Sequence, residues 1–112
     1  MRIWKVNPKK ICRRHLLGEH VECHMFAGAI KKNKNITGHI KKGQIEIHNL
    51  KARHEELAKE LKARGYNHKS QLPSFKANKA GKINIKANYK ELARRCKDCR
   101  KLIKTKSKHL NM

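Results

Sequence analysis

Apolar side chains recur every three to four residues in three stretches of the chain, and stretches rich in glycine, asparagine and lysine separate them. This spacing is typical of amphipathic helices. The first predicted helix begins at Asn7-Pro8, because asparagine caps a helix and proline suits its first position. Its apolar stripe includes Ile11, Leu17 and Val21, and we expect the helix to end near Lys31.

The second predicted helix has the clearest pattern in the chain. Its apolar positions follow an i, i+4, i+7, i+11 spacing, at Leu50, His54, Leu57 and Leu61. Asn49 is a suitable N-cap, and Gly65 stands where a glycine commonly ends a helix. A helix between these two residues is therefore predicted.

The third predicted helix begins at Asn88, with Glu91 three residues later in the spacing of a capping box. The same apolar spacing continues through Leu92, Cys96, Cys99 and Ile103. A single continuous helix to about Ile103 is the simplest interpretation.

The intervening stretches lack helical periodicity. We expect residues 1–6 to form an extended lead and residues 36–48 an ordered loop, in which Gln44–His48 alternate like a short strand. Residues 75–87 form a connector rich in lysine and alanine, and residues 105–112 a basic tail. The prediction is an all-α, compact three-helix single domain over residues 1–104, with the lead threaded against the helices and long basic loops.

The charge balance points to a polyanionic partner. The 112 residues contain 30 Lys and Arg against 8 Asp and Glu, which gives a formal net charge of +22. A compact domain with this much like charge repels itself unless a polyanion screens it. Nucleic acid is the leading candidate, because each neutralised phosphate releases a counterion. A membrane surface is a weaker candidate, since no amphipathic helix has several large aromatic residues.

Targeting signals are not apparent in the sequence. Met1-Arg2 is followed by no apolar segment of the kind found in signal peptides, and no apolar run approaches the ~20 residues of a membrane span. We therefore expect a cytoplasmic protein of a prokaryotic or virus-infected cell, associated with the nucleoid or the ribosome. Its four cysteines are then expected to be reduced.

His15 and Glu22 are the first candidates for chemistry. They are seven residues apart, so their side chains point nearly the same way, ~10 Å apart along a helix axis. Gly18 leaves an opening between them, and Glu19 lies on the same side. The alternative interpretation is that the glutamates pair with nearby arginines on a solvated face, and the spacing by itself favours this alternative.

Cysteine spacing gives a second candidate site. Cys96 and Cys99, taken with Cys12 and His15, offer a ligand set suited to tetrahedral zinc. Cys96 and Cys99 also fall on the apolar stripe of a predicted helix, where buried free cysteines are ordinary packing residues. Packing is the favoured interpretation, and zinc or a labile disulfide are the alternatives.

The N-terminus is a third candidate. Arg2 follows Met1, and methionine removal needs a small second residue, so we expect Met1 to keep a free α-amino group. As a class, α-amino groups are less basic than lysine side chains, so more of the amine is neutral near neutral pH. A neutral amine forms imines with masked aldehydes such as C1′ of a deoxyribose.

The sequence resembles the pyrimidine-dimer DNA glycosylase/AP lyase family, which includes the endonuclease V of a T-even phage and short cellular relatives. The resemblance rests on Met1-Arg2-Ile3, His15-Leu16-Leu17-Gly18-Glu19-His20-Val21-Glu22, Gly28, Arg53-His54-Glu55-Glu56-Leu57 and Arg64-Gly65-Tyr66-Asn67-His68-Lys69-Ser70. The stretch Arg95-Cys96 to Cys99-Arg100 is similar to the short cellular branch. Together these motifs cover most of the chain, apart from the connector and the tail.

The resemblance implies an all-α enzyme in which the lead brings the terminal amine to the catalytic glutamate. Met1 would be the nucleophile and Glu22 the catalytic carboxylate, with Arg2 and His15 holding phosphate or sugar beside them. The remaining candidates for nucleic-acid binding are Arg13, Arg14, Lys31, Lys32, Arg95 and Arg100. No cofactor is expected, and the free protein is expected to be a monomer.

The sequence departs from the phage pattern in three ways. The terminal residue is Met1 rather than a small residue, and Val21 and Met25 replace two arginines that flank the glutamate. The aromatic-rich phage C-terminus is replaced by Cys99-Arg100-Lys101-Leu102-Ile103 and a lysine-rich tail, while Arg95 aligns with a functional arginine there. Lyase chemistry is therefore better supported than specificity for pyrimidine dimers.

Two functions follow from these observations. The first is a DNA repair glycosylase with AP lyase activity, acting on damaged double-stranded DNA. The second is a non-catalytic, ribosome-associated protein that binds ribosomal RNA and derives from such an enzyme. A zinc-stabilised regulator is a third interpretation.

Overall fold

A computed structural model of the chain describes residues 1–67 and 71–110, with side chains up to residue 104. The described residues form five α-helices and two single 3₁₀ turns, and they contain no strand. The helices are α1 (Arg13–Lys31), α2 (Thr37–Lys41), α3 (Leu50–Ala63), α4 (Ile85–Arg95) and α5 (Lys97–Leu110). The all-α prediction is confirmed. None of the described helices is long and apolar enough to cross a membrane.

Helices α1 and α3 pack against each other, and α4 packs against α5. One buried core joins both pairs with the lead, and its largest fully buried apolar side chains are Phe26, Ile11, Leu16, Ile45, Leu50, Leu57 and Leu92. Three histidine rings, His20, His24 and His54, lie between α1 and α3 with centroids 4.9 to 5.0 Å apart. The helix pairs are thus parts of a single packed unit.

The first predicted helix is interrupted. Pro8–Lys10 form a 3₁₀ turn, in which the Asn7 side chain accepts a hydrogen bond from the N–H of Lys9. Ile11 is then extended, and α1 begins at Arg13 with Cys12 as its N-cap. Arg64 at the end of α3 donates to the carbonyls of Pro8 and Ile11, at 3.0 and 2.7 Å, which fixes this interruption.

The prediction for the second helix agrees with α3, which begins directly after Asn49 and has Arg64 as its C-cap. Gly65 adopts a φ of 93°, the left-handed conformation expected of a glycine after a helix. Asn49 makes no side-chain capping bond and instead donates to Glu46 at 2.7 Å.

The strand-like alternation of Gln44–His48 does not correspond to a strand in the structure. Residues 37–41 form the short helix α2, and Ile47–Asn49 form a 3₁₀ turn. Ile45, Glu46 and Ile47 are all buried, although an alternating strand would have exposed Glu46. The reason is that the connector covers this segment: Ile47 donates to the carbonyl of Ala80 at 3.0 Å, and Ile83 donates to Glu46 at 2.8 Å.

The third predicted helix also differs. Its N-cap is Asn84, which accepts from the N–H of Ala87 at 3.0 Å, so the connector ends at Asn84 rather than at residue 87. Asn88 lies inside α4 and donates to the carbonyl of Trp4 at 2.8 Å. The helix breaks at Cys96, where the backbone is extended.

The expected tail is in part helical, because α5 continues to Leu110. Residues 111–112, the end of that tail, lie outside the described residues. His68, Lys69 and Ser70, which contribute to the family resemblance, also lie outside them.

Candidate active site

Glu19 of α1 anchors the N-terminal lead. Its carboxylate is almost fully buried, and the backbone N–H groups of Trp4 and Lys5 stabilise its charged form. Arg53 of α3 donates to both of its oxygens, through Nε to Oε2 and through Nη2 to Oε1 at 3.0 Å. A bidentate pair of this kind fixes direction as well as distance. The lead, α1 and α3 are therefore held together at one buried point.

Ile3 adds a second attachment for the lead, since its N–H donates to the carbonyl of Gln44 at 2.7 Å. The buried side chains of Ile3, Trp4 and Val6 pack into the core. With these attachments, the first residues of the chain run along α1 toward the following turn of that helix, which contains Glu22. The expected threading of the lead against the helices is thus present.

Glu22 is partly buried one turn beyond Glu19. The backbone N–H of Arg2 stabilises its charged form, and the ammonium of Met1 and the Arg2 guanidinium act on it electrostatically. Burial raises the pKa of Glu22 and the charge of Glu19 adds to this, while Arg2 and the Met1 ammonium oppose it. The result is a carboxyl group that holds its proton more tightly than an ordinary glutamate.

Two arginines lie against the ring of Trp4. The guanidinium carbon of Arg2 is 4.6 Å from the ring centroid, and that of Arg95 is 6.0 Å from it. Nη1 of Arg2 is buried, and it has no hydrogen-bond partner among the residues that the structure describes. A buried donor of this kind is costly unless a ligand satisfies it.

His15 is placed beside cysteines. Its Nδ1 lies 3.2 Å from Sγ of Cys12 and 3.7 Å from Sγ of Cys99. Its ring meets Trp4 edge-on, with centroids 6.4 Å apart. Trp4, a residue of the lead, therefore contacts His15 as well as the two arginines. Through His15 it connects the lead to Cys12 and Cys99.

The other candidate nucleic-acid contacts are exposed and widely spaced. Arg13 and Arg14 stand at the beginning of α1, and Lys31 and Lys32 at its end. A helix of 19 residues is about 28 Å long, so these pairs cannot contact one phosphate together. Arg100 is exposed on α5. These side chains suit a long polyanion rather than a small ligand.

Apolar side chains flank Glu22 on the surface of α1. Val21 is 54% exposed and Met25 is 51% exposed, and they are one turn apart. No atom lies within 4 Å of the position that a Cβ of Gly18 would take, so the surface is open there. The surface beside the carboxylate is thus apolar and accessible.

Comparison with known protein families gave a match over more than half of the chain. A family model described as pyrimidine dimer DNA glycosylase matches residues 1–74. The chain belongs to this family. The matched residues include the lead, α1 and α3, and therefore Met1, Arg2, Glu19, Glu22 and Arg53, whereas α4 and α5 lie beyond the match. Comparisons with curated proteins and with solved structures gave no match.

Sequence patterns did not single out several residues that organise the site. Arg53 and Glu19 are 34 residues apart, and no local spacing links them. Trp4 contacts Arg2, Arg95 and His15, and these contacts depend on the tertiary fold. Asn88 was predicted to begin a helix, because asparagine is a common N-cap residue. It instead lies inside α4, where its side chain donates to the carbonyl of Trp4.

Proposed function

We propose that the protein is a DNA glycosylase with AP lyase activity that acts on pyrimidine dimers or abasic sites. Family membership supports the class of enzyme. The observation that most supports this chemistry is that the charge of the Met1 ammonium acts on the partly buried carboxyl group of Glu22. An amine and a carboxyl group are the two groups that imine chemistry at a sugar requires.

The reaction would begin when the neutral amine of Met1 attacks C1′ of the damaged nucleotide. The bond from C1′ to the base breaks, and the base leaves with the bonding electrons. Opening of the sugar ring then breaks the C1′–O4′ bond, O4′ takes a proton, and an imine joins Met1 to C1′. Loss of a proton from C2′ expels the 3′ phosphate and cuts the strand by β-elimination.

Glu22 would serve this sequence in two ways. Its carboxylate stabilises the positive charge that develops at C1′ as the base departs. Its raised pKa suits it to accept and return protons during ring opening and elimination. The backbone N–H of Arg2 favours the charged form of the same carboxyl group.

Arg2 and Arg95 would bind the DNA backbone beside the reacting sugar. Nη1 of Arg2 has no hydrogen-bond partner in the described part of the chain, and a phosphate oxygen would satisfy it once this buried end of the guanidinium turned outward. Exposed basic residues along α1 and α5 would extend the contact along the duplex. The target sugar of an intact duplex is reached by extruding a base, here the one opposite the lesion, as the family resemblance implies.

Borohydride trapping tests this proposal, since borohydride reduces an imine to a stable covalent adduct. The untagged protein is incubated with DNA that contains an abasic site or a pyrimidine dimer, and adducts are separated by denaturing electrophoresis. We expect an adduct with the native chain and none with a variant extended by two residues before Met1. The same extension after Met112 is the matched control.

Two outcomes would contradict the proposal. One is the absence of an adduct with either DNA, and the other is an equal yield from the N-terminally extended variant. Co-purification with ribosomal RNA, together with inactivity on DNA, would instead favour the RNA-binding alternative.

A further inference from the structure

Four potential metal ligands from two distant parts of the sequence meet at one point. Cys12 is the N-cap of α1 and His15 lies in its first turn, whereas Cys96 stands at the break before α5 and Cys99 in the first turn of α5. The three Sγ atoms and one imidazole nitrogen all lie within 4.8 Å of one another. Cysteine and histidine side chains in this combination form a common set of structural zinc ligands.

The spacing of the ligand atoms suits a tetrahedral ion. Zinc bonds of ~2.3 Å to sulfur and ~2.0 Å to nitrogen give tetrahedral edges of about 3.8 Å between sulfurs and about 3.6 Å between sulfur and nitrogen. The Sγ atoms of Cys12 and Cys96 are 3.8 Å apart. Nδ1 of His15 lies 3.2 Å from Sγ of Cys12 and 3.7 Å from Sγ of Cys99. These three of the six separations lie close to the expected edges, and the other three are at most 4.8 Å.

The break in the C-terminal helix removes the main objection to a metal. Zinc-binding cysteine pairs commonly stand at turns, and a continuous helix would have placed Cys96 and Cys99 on a packing stripe. The extended backbone at Cys96 instead puts the pair at a turn between α4 and α5. Packing alone requires neither this break nor the approach of an imidazole to three thiols.

Backbone groups support negatively charged sulfur at this point. The N–H of Cys12 points to Sγ of Cys99 at 3.2 Å, and the N–H of Cys99 points to Sγ of Cys96 at 3.4 Å. Donors to ligand sulfurs orient them and stabilise their thiolate form. The N-terminal ends of both α1 and α5 face the cluster, and such ends favour negative charge.

We propose that Cys12, His15, Cys96 and Cys99 bind one structural zinc ion. The three thiols lose their protons to the buffer, so the loaded site has a net charge of −1. Arginine or lysine residues flank each cysteine in the sequence, and they make this charge favourable: Arg13, Arg14, Arg95, Lys97 and Arg100. Four protein ligands complete a tetrahedron, so the ion has no open position for a substrate.

The ion would join the family-matched part of the chain to the part beyond it. Cys12 and His15 belong to the matched residues 1–74, and Cys96 and Cys99 do not. The ring of His15 contacts Trp4, and α4 holds the same segment through the bond from Asn88 to the Trp4 carbonyl. Zinc would therefore stabilise the docking of α4 and α5 on the lead, independently of the proposed catalysis.

Metal analysis of the full-length, untagged protein is the first test. We expect one zinc per chain after purification from zinc-supplemented medium, and near-complete loss of zinc in Cys96→Ala and in Cys99→Ala. Cys23→Ala is the matched control and should keep its zinc. Cys23 is also a buried free cysteine, but it lies outside the cluster.

Cobalt substitution of the wild-type protein reports on the ligand set, so this test does not depend on whether a cysteine variant folds. Wild-type protein loaded with Co(II) should show thiolate charge-transfer absorption and the intense visible bands of a tetrahedral site, and zinc should displace both. Chelation should change the fluorescence of Trp4, the single tryptophan, because its ring contacts His15.

Three results would overturn the proposal. Wild-type protein that contains no zinc and gains no thiolate band with cobalt has no such site. Loss of two titratable thiols, with no metal bound, would identify a disulfide instead. Zinc that is retained in Cys96→Ala and Cys99→Ala would belong elsewhere, for example at the cluster of His20, His24 and His54.

Discussion

At the scale of single residues, Glu22 is unusual because it is a partly buried carboxyl group on which the charge of the N-terminal ammonium acts. Its neighbours shift its pKa in opposite directions. Burial and Glu19 favour the protonated form, whereas Arg2 and the Met1 ammonium favour the charged form. A group in this balance can change protonation during a reaction at modest cost. This is the physical reason for assigning the proton transfers to Glu22 rather than to the exposed glutamates.

The first prediction concerns this carboxyl group. Glu22→Gln keeps the shape of the side chain but removes its charge, so cleavage of abasic DNA should slow by about 100-fold or more. Single-turnover cleavage kinetics measure the effect. Glu55→Gln, at a glutamate that is 64% exposed on α3, is the control and should cleave at the wild-type rate. Equal rates for the two variants would show that Glu22 is not catalytic.

The second prediction concerns the apolar residues beside Glu22. Val21→Arg and Met25→Arg each place a new charge next to the proposed site, and each should strengthen binding to abasic DNA. The slope of log affinity against log salt should steepen by about 0.9 for each added phosphate contact. Ile85→Arg adds the same charge at an exposed apolar position on α4. If Ile85→Arg has the same effect, the gain is due to total charge rather than to position.

At the scale of elements, the connector between α3 and α4 is a structural part of the core. Its second half crosses the segment from Gly43 to Ile47, where Gly81 adopts a φ of 90°. A Cβ at Gly81 would overlap the carbonyl oxygen of Ile45. Both the backbone conformation and the lack of space therefore require glycine at this position.

The third prediction follows from this crossing. Gly81→Ala should destabilise the protein by about 2 kcal/mol or more, because it combines backbone strain with a clash. Gly28→Ala is the matched control: Gly28 lies inside α1 with no atom within 4 Å, so alanine should stabilise the protein by about 0.5–1 kcal/mol. Urea denaturation measures both values. A neutral Gly81→Ala would mean that the connector does not pack as described.

Glu46 ties the same crossing to the lead. Burial opposes its ionisation, but hydrogen bonds from the N–H of Ile83, from Lys5 and from Asn49 outweigh this effect and lower its pKa from 4.5 to about 2. Because the folded-state pKa lies below the unfolded value, the stability that Glu46 contributes is fully present above about pH 4.5. It is lost as the pH falls from 4.5 toward 2.

The fourth prediction is that Glu46→Gln lowers the free energy of unfolding at neutral pH and flattens its decline between pH 4.5 and 2. Chemical denaturation at a series of pH values measures this slope. The exposed control Glu55→Gln should keep the wild-type slope. A variant at position 46 that declines as steeply as the wild type would rule out the lowered pKa.

The helical spacing of apolar residues predicted the helices whose limits depend on the local sequence. Helix α3 agrees with its predicted span because its apolar stripe and its terminal residues indicate the same limits. The break at Cys96 could not be predicted, because apolar residues keep helical spacing across it. The burial of Glu46 could not be predicted either, since two of its three hydrogen-bond partners, Ile83 and Lys5, are 37 and 41 residues away in the sequence.

In the candidate site, too, some features were predicted from the sequence and others depend on the tertiary fold. Met1, Arg2 and Glu22 were predicted from the family resemblance, and their catalytic roles stay a prediction; in the structure, the charges of Met1 and Arg2 act on the Glu22 carboxyl group. The arrangement of Trp4 between two arginines and His15 is tertiary, so no spacing rule applies to it. The cysteine cluster was visible as a residue set, but a break in a helix was needed to bring it together.

At the scale of the whole molecule, the charge of +22 is distributed along the full sequence, and the exposed arginines and lysines at the two ends of α1 are far apart. A duplex is long enough to contact both ends. The many lysines also make the central claim testable in a specific way. Any of them could form an imine with an abasic sugar, so detection of an adduct does not by itself identify the nucleophile.

The most direct measurement is therefore the position of the covalent bond. Native protein is trapped with borohydride on abasic DNA, digested, and mapped by mass spectrometry. The assignment of Met1 and Glu22 predicts that the sugar remnant is found on the α-amine of the peptide that begins with Met1. A remnant on a lysine side chain, with the N-terminal peptide unmodified, would contradict it.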